Sequence, residues 1–181
     1  MMTDIPCFVG IDPGKSGAFC LLAKNGSIRF FDFPKDGNLH HYWRRLDNII
    51  RANNVQLCVL EKVHAMPKQG VTSMFSFGTN FGLWQGFLIG WEIPFQLVAP
   101  QTWMKNLTFK ADGADTKKRV GSAAMRLFPH AELAGPKGGF KDGRADALLM
   151  AYYAMLQSPQ GGILQTASPA PAAKHTSRRR S

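Results

Sequence analysis

Apolar and polar positions change period along the chain in a way that separates strands from helices. Cys7 to Asp12, CFVGID, is a short apolar run closed by Pro13-Gly14, the form of a buried strand that ends in a turn. Gly17 to Lys24, GAFCLLAK, reads as a second strand, Asn25-Gly26 as a hairpin turn and Ser27 to Pro34, SIRFFDFP, as a third strand, so the chain should open as an antiparallel meander. From Leu39 to Ala52 the period lengthens, with Leu39, Tyr42, Trp43, Leu46, Ile49 and Ile50 at the spacing of an amphipathic helix. Val55 to Val63, VQLCVLEKV, returns to a strand pattern. A turn-rich loop then leads to a helix from about Ser73 to Trp91, a fifth strand from Pro94 to Ala99, and helices over Gln101–Leu107, Thr116–Phe128 and Arg144–Gln157. The predicted class is α/β, in the order three strands, helix, strand, helix, strand, helices.

Beyond Gln157 the composition shifts to Pro, Ala, Ser and Gly with little to bury, which predicts a domain over 1–157 and a disordered basic tail over 158–181. The charge sharpens this division. The chain holds 22 Lys+Arg against 12 Asp+Glu, a net +10, and Lys174, Arg178, Arg179 and Arg180 lie in the tail. The remainder is still basic, as a polyanion-binding protein would be, although a solvated basic surface accounts for the same count. The 45% hydrophobic content excludes a wholly disordered chain. The longest apolar stretch, Phe81 to Phe95, is broken by Gln85, Glu92 and Pro94, and the opening MMTDIPCFVG lacks the basic and apolar regions of a signal peptide. A cytosolic protein is expected, in a bacterial cell or the host cell of a virus. Cys7, Cys20 and Cys58 lie within apolar runs without metal-ligand spacing, as buried reduced thiols do.

Four acids stand out because apolar strands or a helix start carry them: Asp12, Glu61, Asp142 and Asp146. Asp12 and Glu61 share one sheet edge if their strands are parallel neighbours, the edge that favours ligand and metal sites. Asp142 and Asp146 are four apart, hence on one helix face. Together they suit Mg²⁺ or Mn²⁺, which prefer carboxylate oxygen. Each has a plainer reading: Asp12-Pro13-Gly14 as a simple turn, Asp142 as a helix N-cap, Glu61 as an exposed strand residue. Their combination favours the site, because gathered carboxylates repel one another unless a cation lies between them. GIDPGKSGA is not a phosphate-binding P-loop, since Gly10 and Gly14 enclose three residues rather than four and a strand follows. An actin-like ATPase normally needs two such domains, and this chain holds one.

With the motifs GIDPGKSGA, VLEKV and DGRADALLMA, the sequence resembles the RuvC-type Holliday junction resolvases of the RNase H-like superfamily over about Phe8 to Met155. PKQGVTSMFSFGTNFGLWQG and the Gly-Arg-Ala-acid-Ala helix start resemble the plastid (monokaryotic chloroplast) branch. The resemblance implies a five-stranded mixed sheet, three antiparallel strands and then two parallel ones. It implies Asp12, Glu61 and Asp146 as metal ligands and catalytic acids. In RuvC proper the further ligand commonly lies three before the final Asp, which is Gly143 here; the plastid branch has it four before, at Asp142. The implied activity is hydrolytic nicking of a four-way DNA junction by a homodimer, one site per opposed strand, leaving 5′-phosphate and 3′-hydroxyl ends. Two cations roughly 4 Å apart would activate water and stabilise the leaving 3′-oxygen.

Candidate DNA contacts are Lys15, Lys68, Gln69, Lys117, Lys118, Arg119 and Arg144, with Phe75 and Phe77 (near Phe81) as faces for exposed bases. Solvated cations and core phenylalanines are the plainer alternatives. Gly78, Gly82, Gly86 and Gly90 recur every fourth residue and imply close helix approach, against a second copy or against the sheet. Each costs a soluble helix roughly 1 kcal/mol relative to alanine. His64 and His130 are isolated and receive no role. Two other functions remain open: a less selective nuclease for branched or flapped DNA, and a non-catalytic DNA-binding protein of the same fold.

Overall fold

The first apolar run becomes the middle strand of a sheet. In the computed structural model, which describes residues 3–34, 38–62 and 70–160, β1 (Thr3–Ile11) lies between β2 (Ala18–Ala23) and β4 (Asn53–Glu61), with β3 (Ile28–Asp32) and β5 (Phe95–Val98) at the edges. β1 to β3 pair antiparallel, whereas β4 runs parallel to both β1 and β5. This is the three-plus-two arrangement that the resemblance implies.

A strand in that position is covered on both faces, and β1 alternates accordingly. Cys7, Val9 and Ile11 enter a core closed by α1 (Leu39–Ala52) and α2 (Val71–Gly90). Phe8 enters the other, beneath α3 (Pro100–Leu107), α4 (Thr116–Leu127) and α5 (Asp142–Gln157). Gly10 lets the layers meet closely: a Cβ there would run into the backbone of Ala147, Met150 and Ala151. α5 is the most deeply buried helix, with Ala145 and every residue from Ala147 to Ala151 inside.

Several boundaries move. β4 starts at Asn53, directly after α1, and α5 starts at Asp142, which makes that acid the first helical residue rather than the N-cap; Lys141 takes the cap position. A 3₁₀ turn at Lys110–Asp112, which the apolar pattern does not signal, precedes α4. It is held by the Phe109 N–H donating to Asp112 at 2.7 Å and by Arg126 at 3.0 Å from the same carboxylate. Residues 63–69, with His64, Lys68 and Gln69, lie outside the described residues, as does the predicted tail from 161 onward.

α2 is apolar on most sides yet buries only Trp84 and Leu88 fully. Phe87 stacks on Trp43 with ring centroids 3.8 Å apart, and the Trp91 indole N–H donates to Asp47 at 2.9 Å, which fixes α2 to α1. The glycine face has a different environment: at Gly78, Gly82, Gly86 and Gly90 a Cβ would meet no described atom within 4 Å. Close approach to the sheet is therefore not what these glycines serve among the described residues. No described helix is long and apolar enough to cross a membrane.

Candidate active site

Parallel pairing of β1 and β4 brings two acids to one edge. Asp12 directly follows β1, Glu61 ends β4, and the register pairs Ile11 with Leu60, so the two carboxylates leave the sheet side by side at its carboxyl edge. The Asp12 turn is also real: the Gly14 N–H donates to Asp12 Oδ1 at 2.8 Å, and the Gly17 N–H donates to the Gly14 carbonyl at 2.9 Å. The turn thus fixes the carboxylate through one oxygen, so the plain and the functional reading of Asp12 coexist.

α5 supplies the third acid. Its second residue, Gly143, sits so close to the β1–β2 turn that a Cβ would collide with the Ser16 carbonyl and Gly17. This contact seats the helix start on the turn that carries Asp12, and Asp146 follows one turn later. It also explains why no acid stands three before Asp146: position 143 has no room for a side chain.

The cluster carries its own electrostatic record. Burial raises the Asp146 carboxyl, the negative charges of Asp12, Glu61 and Asp142 raise it further, and Lys117 opposes them; the result is about 8. Burial and then Asp12 push Glu61 up to about 7. Asp12 is raised by burial despite the Gly14 hydrogen bond. Burial thus makes all three resist ionising, and Glu61 and Asp146 do so more because acidic neighbours repel their charge.

A cleft of about 180 Å³ opens over Glu61, Asp142 and Asp146, walled by Pro100, Trp103 and Lys117. The donors are all carboxylate oxygens, which fits a hard divalent cation. Among the described residues no three ligating side chains stand close enough to hold one ion in common. The residues fit such a cation in chemistry and charge. Asp142, exposed, makes no capping hydrogen bond and instead accepts an ion pair from Lys117 Nζ at 3.2 Å.

The expected DNA contacts scatter more widely. Lys15 is exposed directly beside Asp12, and Phe75 is 76% exposed near the start of α2, whereas Phe77 is half-buried. Lys117 is occupied by Asp142, Lys118 lies 3.8 Å from Asp115, and Arg119 donates to the Gly113 carbonyl at 3.3 Å. Arg144 is the clear departure. Its side chain is 15% exposed, and its guanidinium is paired with Asp32 and donates to the carbonyls of Glu132 and Ala134, so its donors are spent within the fold rather than offered to phosphate. Sequence reasoning also passed over Gly143 and Trp103. The first had no signal beyond its place in the helix start, and the second reads as an ordinary core aromatic.

The sequence matches no protein-family model, and no curated protein is similar to it at a significant level. Among solved structures it is similar to T. thermophilus RuvC in complex with a Holliday junction substrate, with a TM-score of 0.52 and 15% identity over 79% of this chain and 89% of that one. A second Thermus thermophilus RuvC structure gives 0.49 and 16% over the same shares. At such identity the likeness is one of fold, and the mixed sheet with its flanking helices is RNase H-like.

Proposed function

We propose that the protein is a metal-dependent endonuclease that resolves four-way DNA junctions by paired symmetric nicks, leaving 5′-phosphate and 3′-hydroxyl ends. The observation that carries this reading is the meeting of Asp12, Glu61 and Asp146 at the carboxyl edge of an RNase H-like sheet, each raised by burial, and Glu61 and Asp146 raised further by the charge of neighbouring acids. The similar RuvC structure is a complex with a Holliday junction, which supports the choice of substrate. The Gly-Arg-Ala-acid-Ala helix start supports the plastid branch of such enzymes.

Asp12, Glu61, Asp146 and Asp142 would hold Mg²⁺, with Mn²⁺ able to substitute and two ions per site. When bound, the ions supply an activated water and stabilise the leaving 3′-oxygen of the scissile strand. The chain's own part is to hold the carboxylates: the Gly14 turn orients Asp12, the Gly143 seat sets the height of Asp146, and Lys117 steadies Asp142. Lys15, Lys117, Lys118 and Arg119 are the cations proposed to meet backbone phosphate, with Lys68 and Gln69 from the segment before α2. Phe75 and Phe77 would stack on bases at the junction centre.

Two coordinated cuts need two sites, and the open glycine face of α2 supports a homodimer formed there. Its groove, lined by Thr79, Gly82, Leu83, Gly86, Phe87 and Trp91, is left open by the described residues. The basic tail over 158–181 would add affinity for DNA without entering the domain.

The test is a labelled mobile four-way junction incubated with Mg²⁺, with cuts mapped on all four strands. Symmetric nicks across the junction are expected, lost in Asp12→Asn, Glu61→Gln and Asp146→Asn while junction binding persists. Equal cutting of flaps and forks would favour the less selective nuclease. Binding without cutting would leave a DNA-binding protein.

A further inference from the structure

Ala99 alone separates the end of β5 from α3, which starts at the same sheet edge as the acids and has Trp103 as its fourth residue. The indole is 1% exposed and packed among Val59, Val98, Leu107 and Val120, so its position is set by the core and not by solvent. It lines the cleft together with Glu61. Its Nε1–H is nevertheless a buried donor without a hydrogen-bond partner among the described residues. Leaving a buried donor unpaired is destabilising, so its retention calls for a reason. Trp84 has the same defect, but it is enclosed by the rings of Phe19, Tyr42 and Trp43, whose faces are weak acceptors. Trp103 has a carboxylate instead. The two groups line one cleft, and the N–H stops short of hydrogen-bond geometry.

We propose that Trp103 is a positioning residue for the acid site: its indole N–H donates to the Glu61 carboxylate when the site is loaded with a divalent cation, fixing which oxygen of Glu61 faces the ion. This rests on reading the cluster as a metal site. The two groups have complementary deficits. Glu61 has two oxygens and a repelling neighbour in Asp12, and the Trp103 donor is held in place by the core around it. Outer partners of this kind orient a ligand, and their loss typically weakens metal binding 10–100-fold.

The test uses the full chain and Trp103→Phe, which keeps an aromatic ring and removes the donor. Mn²⁺ binding is titrated by electron paramagnetic resonance, cleavage of a four-way junction is followed against Mg²⁺ concentration, and unfolding is measured in EDTA. The expected result is a metal-free unfolding temperature equal to or above wild type, because an unpartnered donor has gone, with half-saturation by Mn²⁺ raised about 10–100-fold. Excess metal should largely rescue cleavage. A purely structural tryptophan would give the opposite pair, lowered stability and unchanged metal affinity, and that outcome overturns the proposal. If the variant fails to fold, the wild-type protein still decides: the Trp103 indole N–H proton signal should move downfield on Mg²⁺ addition, and a signal that stays in place overturns the inference. Wild type that binds Mn²⁺ but cuts no DNA overturns the nuclease reading alone, and wild type that binds no Mn²⁺ overturns both.

Discussion

Arg144 grips Asp32 through two hydrogen bonds, Nε to Oδ1 at 2.7 Å and Nη2 to Oδ2 at 3.0 Å, while Nη1 donates to the carbonyls of Glu132 and Ala134. One side chain thereby ties the start of α5 to an edge strand and to the segment before the helix. Lys141, 3.5 Å from the same carboxylate, adds to the tie.

Arg144→Lys should break the fork, because an ammonium cannot reproduce the planar pair of bonds. A loss of about 2 kcal/mol is expected, a fall of about 4–8 °C in unfolding temperature. Burial pushes Asp32 up, but Arg144 and Lys141 outweigh it and hold the carboxyl below its usual range. The contribution is therefore complete above the unfolded carboxylate value of about 3.9 and is lost as pH falls through the lower folded value. Thermal unfolding of both proteins between pH 2 and 7 checks this, and a gap that persists at the acid end would contradict it.

Glu61 and Asp146 run in the opposite direction. Their folded values, about 7 and about 8, lie above the unfolded ones, so the folded protein binds more protons and loses stability as pH rises. In EDTA the unfolding temperature should fall between about pH 4 and pH 8, the window between unfolded and folded values. Asp146→Asn should flatten that fall and be more stable than wild type at pH 8, while Mg²⁺ should restore the wild type. A wild-type protein indifferent to pH in EDTA would show that the acids do not repel one another.

Gly143→Ala should be costly for so small a change, about 1–3 kcal/mol from overpacking against the Ser16 carbonyl and Gly17. The helix start must lift, carrying Asp146 away from Asp12, so nicking should fall further than stability does. Unfolding and single-turnover cleavage measured on the same preparation separate the two effects. Wild-type behaviour in both would mean that the close seat is absent.

Gly82→Leu with Gly86→Leu should leave the protomer folded, since neither position faces a described atom. Sedimentation should show weakened dimers, and a cruciform plasmid should be relaxed by single nicks instead of linearised by paired ones. A folded dimer that still linearises the plasmid would remove α2 as the interface.

Much of the fold was legible because period alone reports it: the strands of CFVGID and GAFCLLAK and the helix from Leu39 to Ala52 appear where the pattern predicts them. The sheet edge shared by Asp12 and Glu61 was also readable, once parallel pairing was assumed. What stayed hidden depends on contacts between segments distant in the chain. Nothing local distinguishes Arg144 from a phosphate-binding cation, because Asp32, which claims it, is 112 residues away. Gly143 and Trp103 have ordinary local settings as well, and their significance lies in what faces them across the sheet edge. The 3₁₀ turn at Lys110–Asp112 escaped for a similar reason, since Arg126 from α4 helps to hold it.

The deep burial of α5 sets the timescale on which its acid can move. A helix with Ala145 and Ala147 through Ala151 in the core exchanges its amide hydrogens mainly when the domain as a whole opens, whereas the solvent-exposed first turns of α2 can do so by local opening. Asp146 is thus borne by one of the slowest-exchanging parts of the molecule, while the surface proposed to meet a second copy begins in one of the fastest.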